Sequence, residues 1–274
     1  MVINHVIYSE EPTPLKNSKT LIVGDSHPKT SLNPDLMEDA INVCQGDEPY
    51  VISYWKLKKI LESTEPENVI LGFAPHNISK VNDLKFSHEK WSNEMFERIY
   101  SIQEFQEIDN SIEIDYVSYY KTLFKETAFY PKENHFNYIG SYFNDKRSDI
   151  SDWESAIHRH YFFSNTDPKV SEVAISYLDS IVNYCKQREI EVVLVSHPVH
   201  KNYLRNIPNL ILDHYSSLVE KYEKGTIVID KTKEVYIDTL FLNSDHLNEY
   251  GAAIFTKEIN DALDQISSGE FELK

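Results

Sequence analysis

Ser26 and His246 are the two side chains whose surroundings suggest chemistry. Ser26 lies in Thr20-Leu21-Ile22-Val23-Gly24-Asp25-Ser26-His27, an apolar run broken abruptly by a glycine, an acid, a hydroxyl and an imidazole. A serine hydroxyl becomes a useful nucleophile when an imidazole takes its proton, and the oxyanion that forms needs preorganised donors. His246, within Asp245-His246-Leu247-Asn248, offers the imidazole. The backbone N–H groups of Ser26 and Gly46 and the side-chain amide of Asn77 are candidate donors, glycine because it lets backbone approach a substrate without a Cβ in the way. Taken alone, Asp25 and Ser26 also fit a tight turn that caps a helix.

The elements that must position these groups follow an alternating α/β rhythm. Short apolar runs predict parallel strands at about 19–23, 40–44, 68–74, 191–195 and 226–229. Open α/β sheets place their chemistry beyond the carboxyl ends of such strands. Those ends carry Ser26, then Gly46, then His76 and Asn77, then His197 and His200, and the last strand leads to the loop that holds Asp238, Asn243 and His246. Helices are expected at about 34–38, 49–63, 168–187, 210–224 and 248–266. Residues 1–18 read as an extended lead-in. Residues 80–165, rich in Tyr, Phe, Asn, Asp and Ser, read as a largely helical insertion into one domain spanning 19–274. Within it, Trp153 to Tyr161 is aromatic and basic and reads either as packing of the insertion or as a wall that contacts substrate.

A net charge of −17 works against binding to nucleic acid or to an anionic membrane surface. Two cysteines, Cys44 and Cys185, lack metal spacing and do not form a disulfide framework. No run is long enough to span a bilayer, and Met1 to Pro14 lacks the basic and apolar segments of a signal peptide.

Gly24-Asp25-Ser26, Gly46, Asn77 and the C-terminal Asp245-His246-Leu247-Asn248 stand in the order and at the strand ends of the four blocks of the SGNH (GDSL-like) hydrolase family, which the sequence resembles. The resemblance implies a three-layer α/β/α sandwich around a parallel, flavodoxin-like sheet. It also implies no cofactor or metal, and a Ser26 nucleophile with His246 as base and an acyl-enzyme intermediate. Donors from Ser26, Gly46 and Asn77 would hold the oxyanion. The family usually has an aspartate three residues before the histidine, and that position is Asn243; Asp245 or Asp238 is the acid left to complete a triad. His246 to Ala252, His-Leu-Asn-Glu-Tyr-Gly-Ala, is similar to the ending of SGNH-like proteins that modify cell-envelope polysaccharides. The resemblance therefore implies an esterase or O-acyltransferase acting on an acylated carbohydrate or a small ester. His27, His76, His158, His197, His200 and Asn243 are the candidates for substrate contact. In such proteins an upstream membrane anchor is common, which would place the domain in the cell envelope or periplasm; without one it is cytoplasmic.

Two other readings compete. A catalytically degenerate domain would bind glycan on aromatic faces such as Trp91 and Trp153, and Asn243 favours that reading. A two-metal phosphoesterase would use Asp25, His27, His76, Asn77, His197 and His200 as ligands, although the usual acid and Gly-Asn-His elements of such enzymes are missing.

Overall fold

The computed structural model describes residues 15, 18–100, 102, 112–128, 137–165 and 167–268; almost all of the expected 1–18 lead-in lies outside them. Five short strands, β1 (Thr20–Val23), β2 (Ala40–Asn42), β3 (Asn68–Gly72), β4 (Glu191–Ser196) and β5 (Ile227–Asp230), form one parallel sheet in the order β2-β1-β3-β4-β5. A two-stranded antiparallel ribbon, β6 (Phe241–Asn243) with β7 (His246–Leu247), stands apart from it. Among the described residues the α-helices are α1 (Ser26–Ser31), α2 (Tyr50–Ile60), α3 (Ser92–Ile99), α4 (Tyr116–Ala128), α5 (Trp153–Ile157), α6 (Glu172–Lys186), α7 (Lys201–Leu204), α8 (Asn209–Tyr222) and α9 (Glu249–Ser267).

Strand periodicity divides the core into two layers. Leu21, Val23, Val69, Leu71, Val192 and Leu194 point to one face, where they pack with α2, α6 and α8. Ile22, Ile70, Val193, Val195 and Ile227 point to the other, against Leu32 after α1 and Phe255 and Ile259 of α9. Both faces are therefore covered, as a parallel sheet requires. The result is the expected three-layer α/β/α sandwich. With this strand order, the point where connections reverse direction lies between β1 and β3, and the residues that follow those two strands include Ser26, His76 and Asn77.

The described part of 80–165 contains turns and helices and no strand, in keeping with a largely helical insertion. Two local expectations need correction. The helix expected to run to Glu38 is a single turn, Pro34–Leu36, capped by Asn33. The chain must then extend, because Asp39 O accepts from both Lys19 N and Thr20 N to seat β2 beside β1. Conversely, α1 is absent from the helices expected above, although the capping turn read at Asp25 and Ser26 is the one that opens it. Pro28 is tolerated in its first turn, where backbone N–H groups have no intrahelical acceptor, and α1 is held by packing against α9 and by Thr256 Oγ1, which donates to Ser31 O at 3.2 Å.

Candidate active site

Ser26 opens α1, immediately after the sharp turn at Gly24. Gly24 has φ +140°, and a Cβ there would lie 2.9 Å from Pro28 Cγ, so only glycine fits this strand-to-helix junction. Asp25 caps the helix: its Oδ1 accepts from His27 N at 3.0 Å. Asp25 Oδ2 meets His76 Nε2 at 2.5 Å and accepts from Asn77 Nδ2 at 2.8 Å. Burial opposes the charge on Asp25, but His76 and then His27 outweigh it and hold the carboxyl far below its usual range.

His246 arrives on β7 from the far end of the chain. The motif around it is explained by the turn it builds. Asn248 caps α9, its Oδ1 accepting from Tyr250 N and Gly251 N at 3.1 Å each, while its Nδ2 donates to Thr239 O at 2.8 Å. Gly251 passes so close that a Cβ would fall 2.2 Å from Leu240 O.

The imidazole of His246 lies between two partners. Its Nε2 is 2.8 Å from Ser26 Oγ, and its Nδ1 is 2.9 Å from Asn243 Oδ1. An amide oxygen only accepts, so Nδ1 carries the proton and Nε2 presents a lone pair to the serine hydroxyl. Asp245 Oδ1 lies 3.3 Å from the same Nδ1. Burial alone would lower the imidazole's affinity for a proton, but the neighbouring Asp245 carboxylate raises it above the ordinary histidine value. Asp245 is fully buried, and its other oxygen accepts from Arg159 Nη2 at 3.1 Å. Burial disfavours its ionisation too, yet His246 first, then His27 and His160, hold it well below the usual carboxylate range.

Four more histidines crowd behind this pair. The His27 ring centroid is 3.9 Å from that of His76, 4.2 Å from His197 and 4.7 Å from His246, and His160 stacks on His76 at 4.8 Å. Burial lowers the proton affinity of His27 and His160 well below the ordinary value and takes His197 down to about 4. His197 Nε2 contacts Asp245 O at 3.0 Å, which fixes the turn before His246.

A small pocket opens beside Ser26, lined in part by Asp47, His76, Val81, Lys85, Arg159 and His160. Its walls are polar apart from Val81. Lys85 pairs with Asp47 at 2.7 Å and lies over the Trp91 ring at 4.1 Å. Gly46 follows β2 close by; its carbonyl accepts from Arg98 Nη1 at 2.7 Å, and a Cβ on it would meet nothing within 4 Å, so its backbone is open to approach.

Of the residues singled out from sequence, the structure gathers Ser26, His27, His76, Asn77, His197, Asn243, Asp245 and His246 in one place. It does not gather three others. His158 is exposed on the insertion, and His160, two residues on, takes the place expected of it, because the chain makes a π turn over His158–Phe162. His200 turns away to cap α7 through its Nδ1. Asp238 faces His200 and Lys201, each at 3.4 Å, and not His246. With His200 elsewhere, the six-ligand set of a two-metal phosphoesterase does not assemble. Asn77 is at the site, where its Nδ2 donates one N–H to the buried Asp25 carboxylate and lies 3.2 Å from His76 Nε2, in keeping with the need of that carboxylate for donors. Trp91 is buried beneath Phe163 and Lys85, and Trp153 packs on the main core, so neither offers an open aromatic platform. Arg159 and His160 belong to the aromatic and basic segment that reads either as packing or as a substrate wall, and they do line the pocket; Lys85 and Asp47 are site residues that the sequence reading does not name.

No protein-family model and no curated protein sequence matches the chain. Solved structures do. The chain resembles GDSL-like lipases and acylhydrolases of known structure. A GDSL-like lipase from Bacteroides thetaiotaomicron aligns at 10% identity and TM-score 0.46 over 97% of this chain and 96% of its own. A Bacteroides fragilis protein assigned as an acylhydrolase gives 12% identity, TM-score 0.46 and the same coverage. An acetyl xylan esterase from the rumen bacterium Butyrivibrio proteoclasticus gives 11% identity and TM-score 0.35 over 96% of this chain and 67% of that one. Likeness of this degree carries no argument about chemistry, which rests on this chain's own geometry.

Proposed function

We propose that the chain is a serine esterase or O-acyltransferase of the SGNH type, acting on a small acyl ester of a carbohydrate. The observation that carries this reading is the 2.8 Å contact between Ser26 Oγ and His246 Nε2, with the opposite ring nitrogen held by Asn243 at 2.9 Å.

The geometry supports the following course. As Ser26 Oγ attacks the acyl carbon, its proton passes to His246 Nε2. The oxyanion is held by the backbone N–H of Ser26, which heads α1 without an intrahelical acceptor, and by that of Gly46. The imidazolium is stabilised by Asp245 and kept in register by Asn243. Collapse expels the alcohol, which takes the proton from Nε2 and leaves the acyl group on Ser26. Water or a sugar hydroxyl then gives its proton to Nε2 as it attacks the acyl-serine; the second oxyanion collapses, the acyl–Oγ bond breaks, and Ser26 Oγ takes the proton back from Nε2 as the acid or the new ester departs. The small polar pocket suits a short acyl group on a hydroxylated carrier better than a fatty chain.

Intact-protein mass after exposure to an activated acetyl ester or an organophosphonate tests this. A single adduct is expected on the parent protein and none on Ser26→Ala or His246→Ala, with turnover in either variant down by roughly 10^6-fold. An adduct that persists in Ser26→Ala overturns the reading.

A further inference from the structure

We propose that His27, His160 and Asp245 form a binding site for one divalent cation of the zinc class. This inference does not rest on the serine chemistry. His27 is 2% exposed, and neither of its ring nitrogens has a hydrogen-bond partner. A buried imidazole without partners is costly, and such groups in native proteins call for a reason. Its Nε2 lies 3.6 Å from Asp245 Oδ2. His160 Nε2 lies 3.6 Å from the same oxygen.

Tyr203 Oη meets His160 Nδ1 at 2.5 Å, which leaves Nε2 as the ring nitrogen that faces Asp245 Oδ2. With an ion on Nε2, Nδ1 would donate to Tyr203 Oη, and an outer oxygen that orients the ring in this way is the usual second partner of a metal-bound histidine.

Spacing selects this trio over its neighbour. Asp25, His27 and His76 also lie close enough to share an ion, but Asp25 Oδ2 and His76 Nε2 are 2.5 Å apart and closed by a hydrogen bond. Ligand atoms at about 2.0–2.1 Å from a tetrahedral zinc stand roughly 3.3 Å from one another, near the 3.6 Å of the proposed set. Arg159 occupies one lone pair of Asp245 Oδ2 at 3.1 Å with a side chain that is 34% exposed; a carboxylate oxygen has a second lone pair for the ion. Two neutral imidazoles and one carboxylate are a donor set that zinc-class ions favour, with a fourth position left open. The ion ties α1, the π turn of the insertion and the turn before His246 together at one point. A π turn is itself a common mark of a functional position.

The test is calorimetric titration of untagged, chelator-stripped, full-length protein with Zn2+, repeated with Co2+ to read its visible spectrum. One equivalent and the intense absorption of tetrahedral Co2+ are expected. His160→Gln and His27→Gln should each weaken binding on the order of 100-fold or more, and Tyr203→Phe by about 10-fold, while His76→Gln leaves it unchanged. Circular dichroism melts without metal establish that each variant is folded. Because the readout is binding, its failure is separate from any failure of esterase activity. Absence of stoichiometric binding, binding that survives the His160 and His27 substitutions, or loss only in His76→Gln each overturns the assignment.

Discussion

Asn243 Oδ1 and Asp245 Oδ1 both face His246 Nδ1, at 2.9 and 3.3 Å. The two tasks of a triad's third member are thus divided: the amide takes the proton's direction, and the buried carboxylate supplies charge. Asp245→Asn, which keeps shape and removes charge, should lower kcat by about 10^2- to 10^4-fold; Asn243→Ala should lower it by about 10-fold. Steady-state kinetics on an acetyl ester, with a chelator present, check this order. A larger loss in Asn243→Ala would mean that the amide alone matters.

Asn77 distinguishes two roles. Its Nδ2 donates to Asp25 at 2.8 Å and its Oδ1 accepts from Ala74 N at 2.8 Å, so it holds the turn after β3 against the turn after β1. Asn77→Ala should destabilise the fold by about 1–3 kcal/mol and reduce kcat less than 10-fold at temperatures where the protein is folded. A loss of about 10^2- to 10^3-fold in a fully folded variant would restore it as an oxyanion donor.

Much of the frame and half of the site could be read in the sequence, for a physical reason. Parallel strands buried on both faces appear as short apolar runs, and the residues just after them are placed by the sheet itself, so Ser26, Gly46, His76 and Asn77 were legible one strand at a time. His246 was legible because Asn248 and Gly251 make a compact turn with a local pattern. Arg159, His160 and Lys85 reach the pocket through tertiary packing of a segment with no sustained periodicity, whereas Asp47 follows β2 and is drawn in by its ion pair with Lys85. The π turn over His158–Phe162 moves the inward-facing position away from where α-helical spacing would put it. Nothing local marks that shift. Asp245, placed next to His246 in sequence, is the acid favoured from the sequence and Asp238 the alternative; strand patterns alone do not reveal which acid turns inward.

The pocket beside Ser26 has ionic and amide walls with Val81 as its apolar contact. A long acyl chain would have to desolvate Lys85, Arg159 and Asp47 without replacing their partners. The acetyl ester of a common leaving group should therefore show kcat/KM at least about 10-fold above the octanoyl ester, given the cost of about 1–3 kcal/mol for each unsatisfied polar group. Equal or reversed preference in a chain-length series would remove the small-acyl assignment.

Acid should destabilise the fold through its buried imidazoles. His197, fully enclosed, has its proton affinity lowered by burial from 6.5 to about 4. Below pH 6.5 the unfolded chain binds a proton that the folded ring refuses, so stability falls as pH drops from about 6.5 towards 4, by roughly 2 kcal/mol at pH 5. His27 and His160 shift in the same direction. His197→Gln keeps a donor for Asp245 O and removes the titration. Urea unfolding at pH 7.5 and 5.0 should show a drop about 2 kcal/mol smaller in that variant; an unchanged drop would mean His197 is not buried neutral.

Gly251 links stability to the site most directly. A methyl group there would sit 2.2 Å from Leu240 O and 3.2 Å from Leu247 Cδ2, in the turn that carries His246 and well inside van der Waals contact. The backbone cannot yield without moving β7, because Asn248 N donates to that same Leu240 carbonyl at 2.9 Å. Gly251→Ala should therefore cost about 1–3 kcal/mol by overpacking and, where folded, displace His246 from Ser26. A shift of 1 Å is enough to cost on the order of 10^2-fold in turnover. The informative comparison is with Gly225→Ala, whose added Cβ meets only Lys186 Nζ at 3.4 Å and which should leave turnover unchanged. Melting temperatures and acetyl-ester kinetics on both variants decide whether the turn, rather than loss of any glycine, sets the Ser26–His246 distance.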